Sequence, residues 1–273
     1  MNKIENLEKY KAIEAEAKEK GYRLSNCFFL PDTLKAKLDA GVLYSEHISD
    51  GIIIFEDNGS FYRCYYYFSD QAPEQSLNVD KDCVIEFPFN TEPNAKQLSQ
   101  IDIISRLGFT LGRRSGLMKL EKEGLIPYEA QASAPCIETA ALSDADEILA
   151  LLNKSFNPLY AFLPDKAELS EIINNENAFV VHMDGRVAGA LVSGMEKNAA
   201  TIMQLAVYPE YRGRGIAKRL LQGYHNRYKD STSHFKHWVD LDNTGAIKLY
   251  RSFGYDFTFR KANEYILLKK GDQ

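Results

Sequence analysis

The sequence predicts a mixed α/β protein made of two domains in tandem, each a mixed, mostly antiparallel twisted sheet flanked by helices. Three observations carry that expectation. At 273 residues the chain is long for one α/β core and sufficient for two of ordinary size. Apolar or alternating runs separated by Asp-Gly and Asn-Gly pairs recur in both halves, as strands joined by tight turns do. The halves also close alike: "IISRLGFTLGRR" before "LMKLEK", and "LYRSFGYDFTFR" before "YILLKK", each pass from a helical pattern through a Gly-aromatic pair into strand formers.

The elements follow in order. Ile4, Leu7, Tyr10, Ile13 and Ala17 recur every three or four residues among charges, an amphipathic helix that Gly21 ends. A short helix is expected over 31–38. Then come three strands, "VLYSEHI", "GIIIFED" and "SFYRCYYYFS", turned at Asp50-Gly51 and Asp57-Asn58-Gly59 as an antiparallel meander. The polar segment "DQAPEQSLNVDKD" leads to strand "CVIEFPF", a helix through "NAKQLSQIDIISRL" and a pair of strands in "GFTLGRRSGLMKLEK". Alternating aromatics in "FYRCYYYF" read as the two packed faces of a core strand.

Periodicity stops in "EKEGLIPYEAQASAPC", where two prolines and a glycine intervene. The boundary is placed there, giving domains 1–125 and 135–273. The second half opens with strand "CIETAAL". Ser143 is expected as the N-cap of a helix running to about Ser155, with acids in its first turn. A helix over 166–174 follows. Strands "AFVVHM", "RVAGALVSGM" and "ATIMQLAV" form a second meander, then come a helix, strand "HFKHWVDL", helix "TGAIKLYRSF" and closing strands "YDFTFR" and "EYILLKK".

Composition sets bounds on function. With 45% hydrophobic residues the chain is globular, and a net charge of −5 without a long basic run is unlike a dedicated nucleic-acid binder. Neither a signal-peptide core nor an apolar stretch of membrane-spanning length occurs, so no membrane partner is expected. The four cysteines form no CxxC pair and read as reduced thiols of a cytoplasmic protein, with no metal site. His234 and His237, three apart on a strand, point to opposite faces and make no metal pair either.

The stretch "LAVYPEYRGRGIAKRLL", 205–221, concentrates positive charge at a strand-to-helix joint. Pro209 helps to end the strand, and from Ile216 the pattern turns helical. Gly213 and Gly215 therefore sit where the first N–H groups of a helix lack partners and its dipole is positive, and Arg212 and Arg214 can meet an anion bidentately. A phosphate or pyrophosphate fits. The spacing is not that of the Walker loop, and Lys218 stands where the dinucleotide fingerprint needs its third glycine.

The joint resembles motif A of the GNAT superfamily of N-acetyltransferases, with Arg212, Gly215 and Ala217 at its fixed positions in Arg212-Gly213-Arg214-Gly215-Ile216-Ala217. About thirty residues on, "DNTGAIKLYRSFGY" is similar to the family's second segment, with Asn243, Ala246, Leu249, Tyr250, Gly254 and Tyr255 in place. The resemblance spans roughly 137–270. The first domain shares the order of elements but has no such turn, and reads as a degenerate copy.

The resemblance implies acetyl-CoA as co-substrate, its pyrophosphate on 212–217, its pantetheine arm on the backbone of Leu205 and Val207, and Asn243 beside the arm or capping the helix. It implies acetyl transfer to a primary amine of a small molecule or peptide, by direct attack in a ternary complex. Tyr250 would protonate the leaving thiolate. The strand before the turn has no carboxylate where many members carry their base, so Glu196 is the candidate, with Asp240 and Asp242 behind it. The first domain is expected to shape the acceptor cleft or to form a homodimer. The competing readings are a non-catalytic acyl-CoA sensor and an aminoacyl transferase using charged tRNA.

Overall fold

The computed structural model describes residues 1–71, 76–125 and 136–269. The stretch 126–134, where the sequence is expected to divide, lies outside them. The chain separates into two compact units, Met1–Arg114 with Lys261–Gln273, and Ser115–Arg260.

Unit 1 contains β1 (Asn2–Lys3), α1 (Leu7–Glu19), β2 (Leu24–Ser25), α2 (Pro31–Asp39), β3 (Leu43–Ile48), β4 (Gly51–Asp57), β5 (Phe61–Phe68), β6 (Asp82–Asn90), α3 (Ala95–Arg106) and the start of β7 (Thr110–Glu121). Its strands pair in the order β1-β3-β4-β5-β6, with β2 beside β5. Unit 2 contains the rest of β7, β8 (Glu138–Thr139), α4 (Ala145–Ser155), α5 (Lys166–Asn174), β9 (Ala178–Met183), β10 (Arg186–Glu196), β11 (Ala199–Val207), α6 (Ile216–Tyr228), β12 (His234–Asp240), α7 (Thr244–Arg251) and the start of β13 (Asp256–Leu267). Its order is β7-β12-β11-β10-β9-β8.

Helices cover both faces of each sheet, which is why the central strands read as continuous apolar runs. On β4, Ile53 and Phe55 pack with Ile103 and Ile104 of α3, while Ile52 and Ile54 pack with Tyr10 and Ile13 of α1. On β10, Ala188 and Leu191 join Leu220 and Leu221 of α6, while Ala190 and Val192 join Ile148 and Leu151 of α4. The aromatic run on β5 divides as expected: Tyr62, Cys64, Tyr66 and Phe68 face α3, and Tyr65 and Tyr67 face the α1 side.

Local expectations differ from the structure in four places. Leu7 is exposed, because α1 starts there and buries only Tyr10, Ile13 and Ala17. The strand expected in "CIETAAL" shrinks to Glu138–Thr139. Ser143 lies inside a short 3-10 turn, Leu142–Asp144, and the Asp144 carboxylate accepts the Ala141 N–H at 2.8 Å. Each expected closing pair of strands is one long strand, β7 or β13. In β7, Gly116 makes no turn: side chains of Phe257 and Leu241 press where its Cβ would stand.

Both units share a parting of strands. In unit 2, β11 pairs with β12 in parallel only from Ala199 opposite His234 to Thr201 opposite Lys236, and beyond that rung the two separate. A bulge in β11, where Val192 pairs with Gln204 and Ser193 with Ile202 so that Met203 is left over, bends β11 at the parting. In unit 1, β5 and β6 pair in parallel from Phe61 opposite Asp82 to Arg63 opposite Val84, then separate likewise.

Candidate active site

The gap between β11 and β12 opens into a cleft of about 950 Å³, within the size of small-molecule sites. Its walls are Leu205, Ala206 and Val207 of β11, the turn from Tyr211 to Lys218, the start of α7 (Asn243, Gly245, Ala246, Leu249) and Ser155 and Phe156 at the end of α4. Ten of the residues assigned from the sequence are thus placed by three elements. Nine of them line the cleft: Leu205, Val207, the six from Arg212 to Ala217, and Asn243. The tenth, Tyr250, follows the cleft-lining Leu249 on α7.

The edge of β11 is the first surface of the candidate site. Tyr208 donates its N–H to Ala188 O of β10 at 3.0 Å, and strand amides alternate sides, so the N–H groups of Val207 and Leu205 face away from β10. There β12 has already departed. Val207 O on the same side accepts from Arg212 Nε at 3.1 Å, which fixes this arginine at the cleft mouth.

The turn is the second surface. After the short helix Pro209–Tyr211, Gly213 and Gly215 adopt φ of 78° and 79°, a region that costs other residues about 1–2 kcal/mol. Gly215 is the N-cap of α6 and has no side chain to cap it, so the leading amides of the helix receive no side-chain cap. A Cβ added at either glycine would meet nothing within 4 Å, so the backbone borders open space. Tyr211 braces the turn from below: it is buried, its hydroxyl donates to Asp184 Oδ2 at 3.1 Å and accepts from Arg186 Nε at 3.0 Å, and the Arg214 guanidinium lies 5.5 Å from its ring centre. The donor set of Arg212, Arg214, Lys218 and the helix amides suits a diphosphate.

Asn243 caps α7, accepting from Ala246 N at 3.0 Å, and lines the cleft as well. Tyr250 does not line it. The residue is buried, its ring centre 3.6 Å from that of His237 on β12, and burial holds its phenol well above the usual range. His237 has both ring nitrogens buried without a partner, and burial lowers its pKa to about 3.

Glu196 must be withdrawn as the base. It sits opposite Ala199 at the hairpin between β10 and β11, and its carboxylate pairs with Lys236 Nζ at 2.6 Å. From Ala199 to Leu205 the strand advances about 20 Å at roughly 3.3 Å per residue, so Glu196 is remote from the cleft. Asp240 ends β12 at the open side of the parting, its carboxylate accepting from Asp242 N at 2.9 Å. Gln204 points elsewhere: buried, it donates to Phe162 O at 2.6 Å and leaves its own Oε1 unpaired. Sequence reasoning passed over Tyr211, Lys218 and Ser155. A cation in the first turn of α6, where helices disfavour one, was the available signal for Lys218.

Residues 145–255 match the family model of the acetyltransferase (GNAT) family. Unit 2 carries a GNAT acetyltransferase domain. The match covers α4 through α7, including both motifs. Among solved structures, a GCN5-related N-acetyltransferase from Sphaerobacter thermophilus is similar over 97% of this chain and 93% of its own, with 14% identity and a TM-score of 0.57. An acetyltransferase of the GNAT family from Colwellia psychrerythraea covers 98% of this chain and 99% of its own, at 13% identity and TM-score 0.52. A tandem GNAT protein from the clavulanic acid biosynthesis pathway covers 82% and 80%, at 10% identity and TM-score 0.51. At these identities the likeness is one of fold, and it extends over both units: the GNAT-like design of the N-terminal half is part of it. No curated protein matches the sequence. Among the described residues no helix is long and apolar enough to cross a membrane, and no cluster of candidate metal ligands occurs.

Proposed function

We propose that unit 2 transfers the acetyl group of acetyl-CoA to a primary amine, on a small molecule or a peptide, by direct attack in a ternary complex. One observation carries the reading: a strand edge with free amides runs straight into a cationic, glycine-bordered helix start. The helix amides, Arg212, Arg214 and Lys218 would hold the diphosphate, and the free N–H groups of Leu205 and Val207 are donors for carbonyls laid along the strand. Acetyl-CoA supplies the acetyl group as an activated thioester. Asn243 borders the same channel.

Tyr250 is the proposed acid. Burial raises this phenol above the usual range, so it is protonated at neutral pH and is the proton donor for the leaving thiolate, a transfer that requires the thiolate within hydrogen-bond reach of it. Asp240, at the open end of β12, is the carboxylate best placed to take the amine's proton through water.

Calorimetry with acetyl-CoA, followed by CoA release with polyamines, amino acids, aminoglycosides and peptides, tests this. Binding with turnover on one acceptor class supports the transferase. Binding without turnover on any of them favours an acyl-CoA sensor, and failure to bind acetyl-CoA defeats both.

A further inference from the structure

Unit 1 has a cavity of its own, about 380 Å³, in the gap where β5 and β6 part. Part of that gap is filled by the chain itself. β2 pairs along the free edge of β5, Leu24 opposite Phe68 and Ser25 opposite Tyr67. Asn26 continues the ladder with its side chain, accepting from Tyr66 N at 2.8 Å and donating to Cys64 O at 3.4 Å.

What remains open is lined by two kinds of polar group. The amides are committed to the walls: Gln97 accepts from Asn94 N at 2.9 Å and donates to Pro88 O at 3.3 Å, and Gln100 donates to Ser25 O at 3.5 Å. The charges are paired loosely with each other. Arg63, on the last paired rung of β5, and Glu86 of β6 lie on one face of the sheet with 3.6 Å between Nη1 and Oε2, beyond the roughly 2.7–2.9 Å of a close charged hydrogen bond. Phe28 and Tyr65 supply apolar wall beside them, and Phe87, next to Glu86 on β6, lines the cavity from the opposite face. A cation and an anion side by side at the rim of a half-apolar cavity complement a molecule carrying the opposite two charges on one carbon.

We infer that this cavity binds a free α-amino acid, its carboxylate on the Arg63 guanidinium, its ammonium on Glu86, and its side chain toward Phe28 and Tyr65. The inference is independent of acetyl transfer by unit 2. It concerns a separate cavity and a different ligand.

The test is calorimetry of the full chain with each of the twenty amino acids at about 10 mM, ten-fold above a dissociation constant of ~1 mM. The best binder is compared with its methyl ester and its des-amino analogue, and with the variants Arg63→Met and Glu86→Gln. At least one amino acid should bind. Loss of either ligand charge, or of either protein charge, should weaken it about ten-fold or more. Acetyl-CoA affinity, measured in parallel, should stay unchanged in both variants. The inference falls if none of the twenty binds, if the ester and des-amino analogue bind as tightly as the amino acid, or if both variants match the parent. Should Arg63→Met fail to fold, Glu86→Gln decides alone, since Glu86 is exposed.

Discussion

The two units part their strands at the same point in the order of elements and use the opening differently. In unit 2 the free edge of β11 stays open, and a turn with two left-handed glycines carries the chain into α6. In unit 1 the free edge of β5 is taken by Leu24, Ser25 and the side chain of Asn26, and the described residues between β5 and β6 contain no helix. An unpaired strand edge inside a protein must find partners for its amides. One unit supplies them from its own chain. The other leaves them open beside the cationic turn, and on the proposed reading edge and turn are two halves of one coenzyme site.

The sharpest break in that comparison is Tyr250→Phe, which removes one hydroxyl and keeps the ring against His237. If Tyr250 is the acid, kcat falls about 10²–10⁴-fold while acetyl-CoA affinity, read by calorimetry, is retained. An unchanged kcat would return Tyr250 to the core of unit 2 as a packing residue. Next in size is Arg212→Glu with Arg214→Glu. Each charged hydrogen bond contributes about 1.5–3 kcal/mol, so the double variant should bind acetyl-CoA about a hundred-fold more weakly or worse. Equal affinity in parent and variant would mean that the turn is not the anion site.

Acid should also separate the units. Unit 2 buries His225, lowered to about 4, and His237, lowered to about 3, in both cases chiefly by burial. These pKa values are depressed on folding from about 6.5. Their contribution is therefore complete above pH 6.5 and is lost as pH falls toward 4 and then 3, a matter of a few kcal/mol. Unit 1 has only His47, which is exposed and pairs with Glu16. Trp238, the single tryptophan, lies on β12 and reports unit 2 selectively. Its fluorescence should show unit 2 melting earlier as pH drops, with His237→Phe flattening that dependence.

The turn was legible in the sequence because its geometry is local: glycines for positive φ and a helical pattern directly after. The meanders were legible for the same reason, through Asp50-Gly51 and Asp184-Gly185. What escaped depends on distant pairing. Glu196 offered a carboxylate late on the strand before β11, but antiparallel pairing carries its end of the hairpin away from the cleft. The pair of strands expected in 108–122 is one strand, and the packing of Phe257 against Gly116, far along the chain, is invisible locally. "YRLSNCFFL" carries no sign that Leu24–Asn26 fills a gap beside β5, since the partner lies some forty residues on.

That hidden contact supports the smallest of the expected effects. Asn26→Ala removes the acceptor of Tyr66 N and the donor to Cys64 O, leaving backbone groups of a core strand short of partners. The cost should be about 1–3 kcal/mol, a fall of several degrees in the melting temperature of unit 1. Opening the gap in this way should not create a second site for acetyl-CoA, because β5 is followed by no glycine turn and no helix start among the described residues. Calorimetry of the variant should give one equivalent, as for the parent. Two equivalents would show that an exposed strand edge suffices to hold the coenzyme, and the division of labour argued here between edge and turn would be wrong.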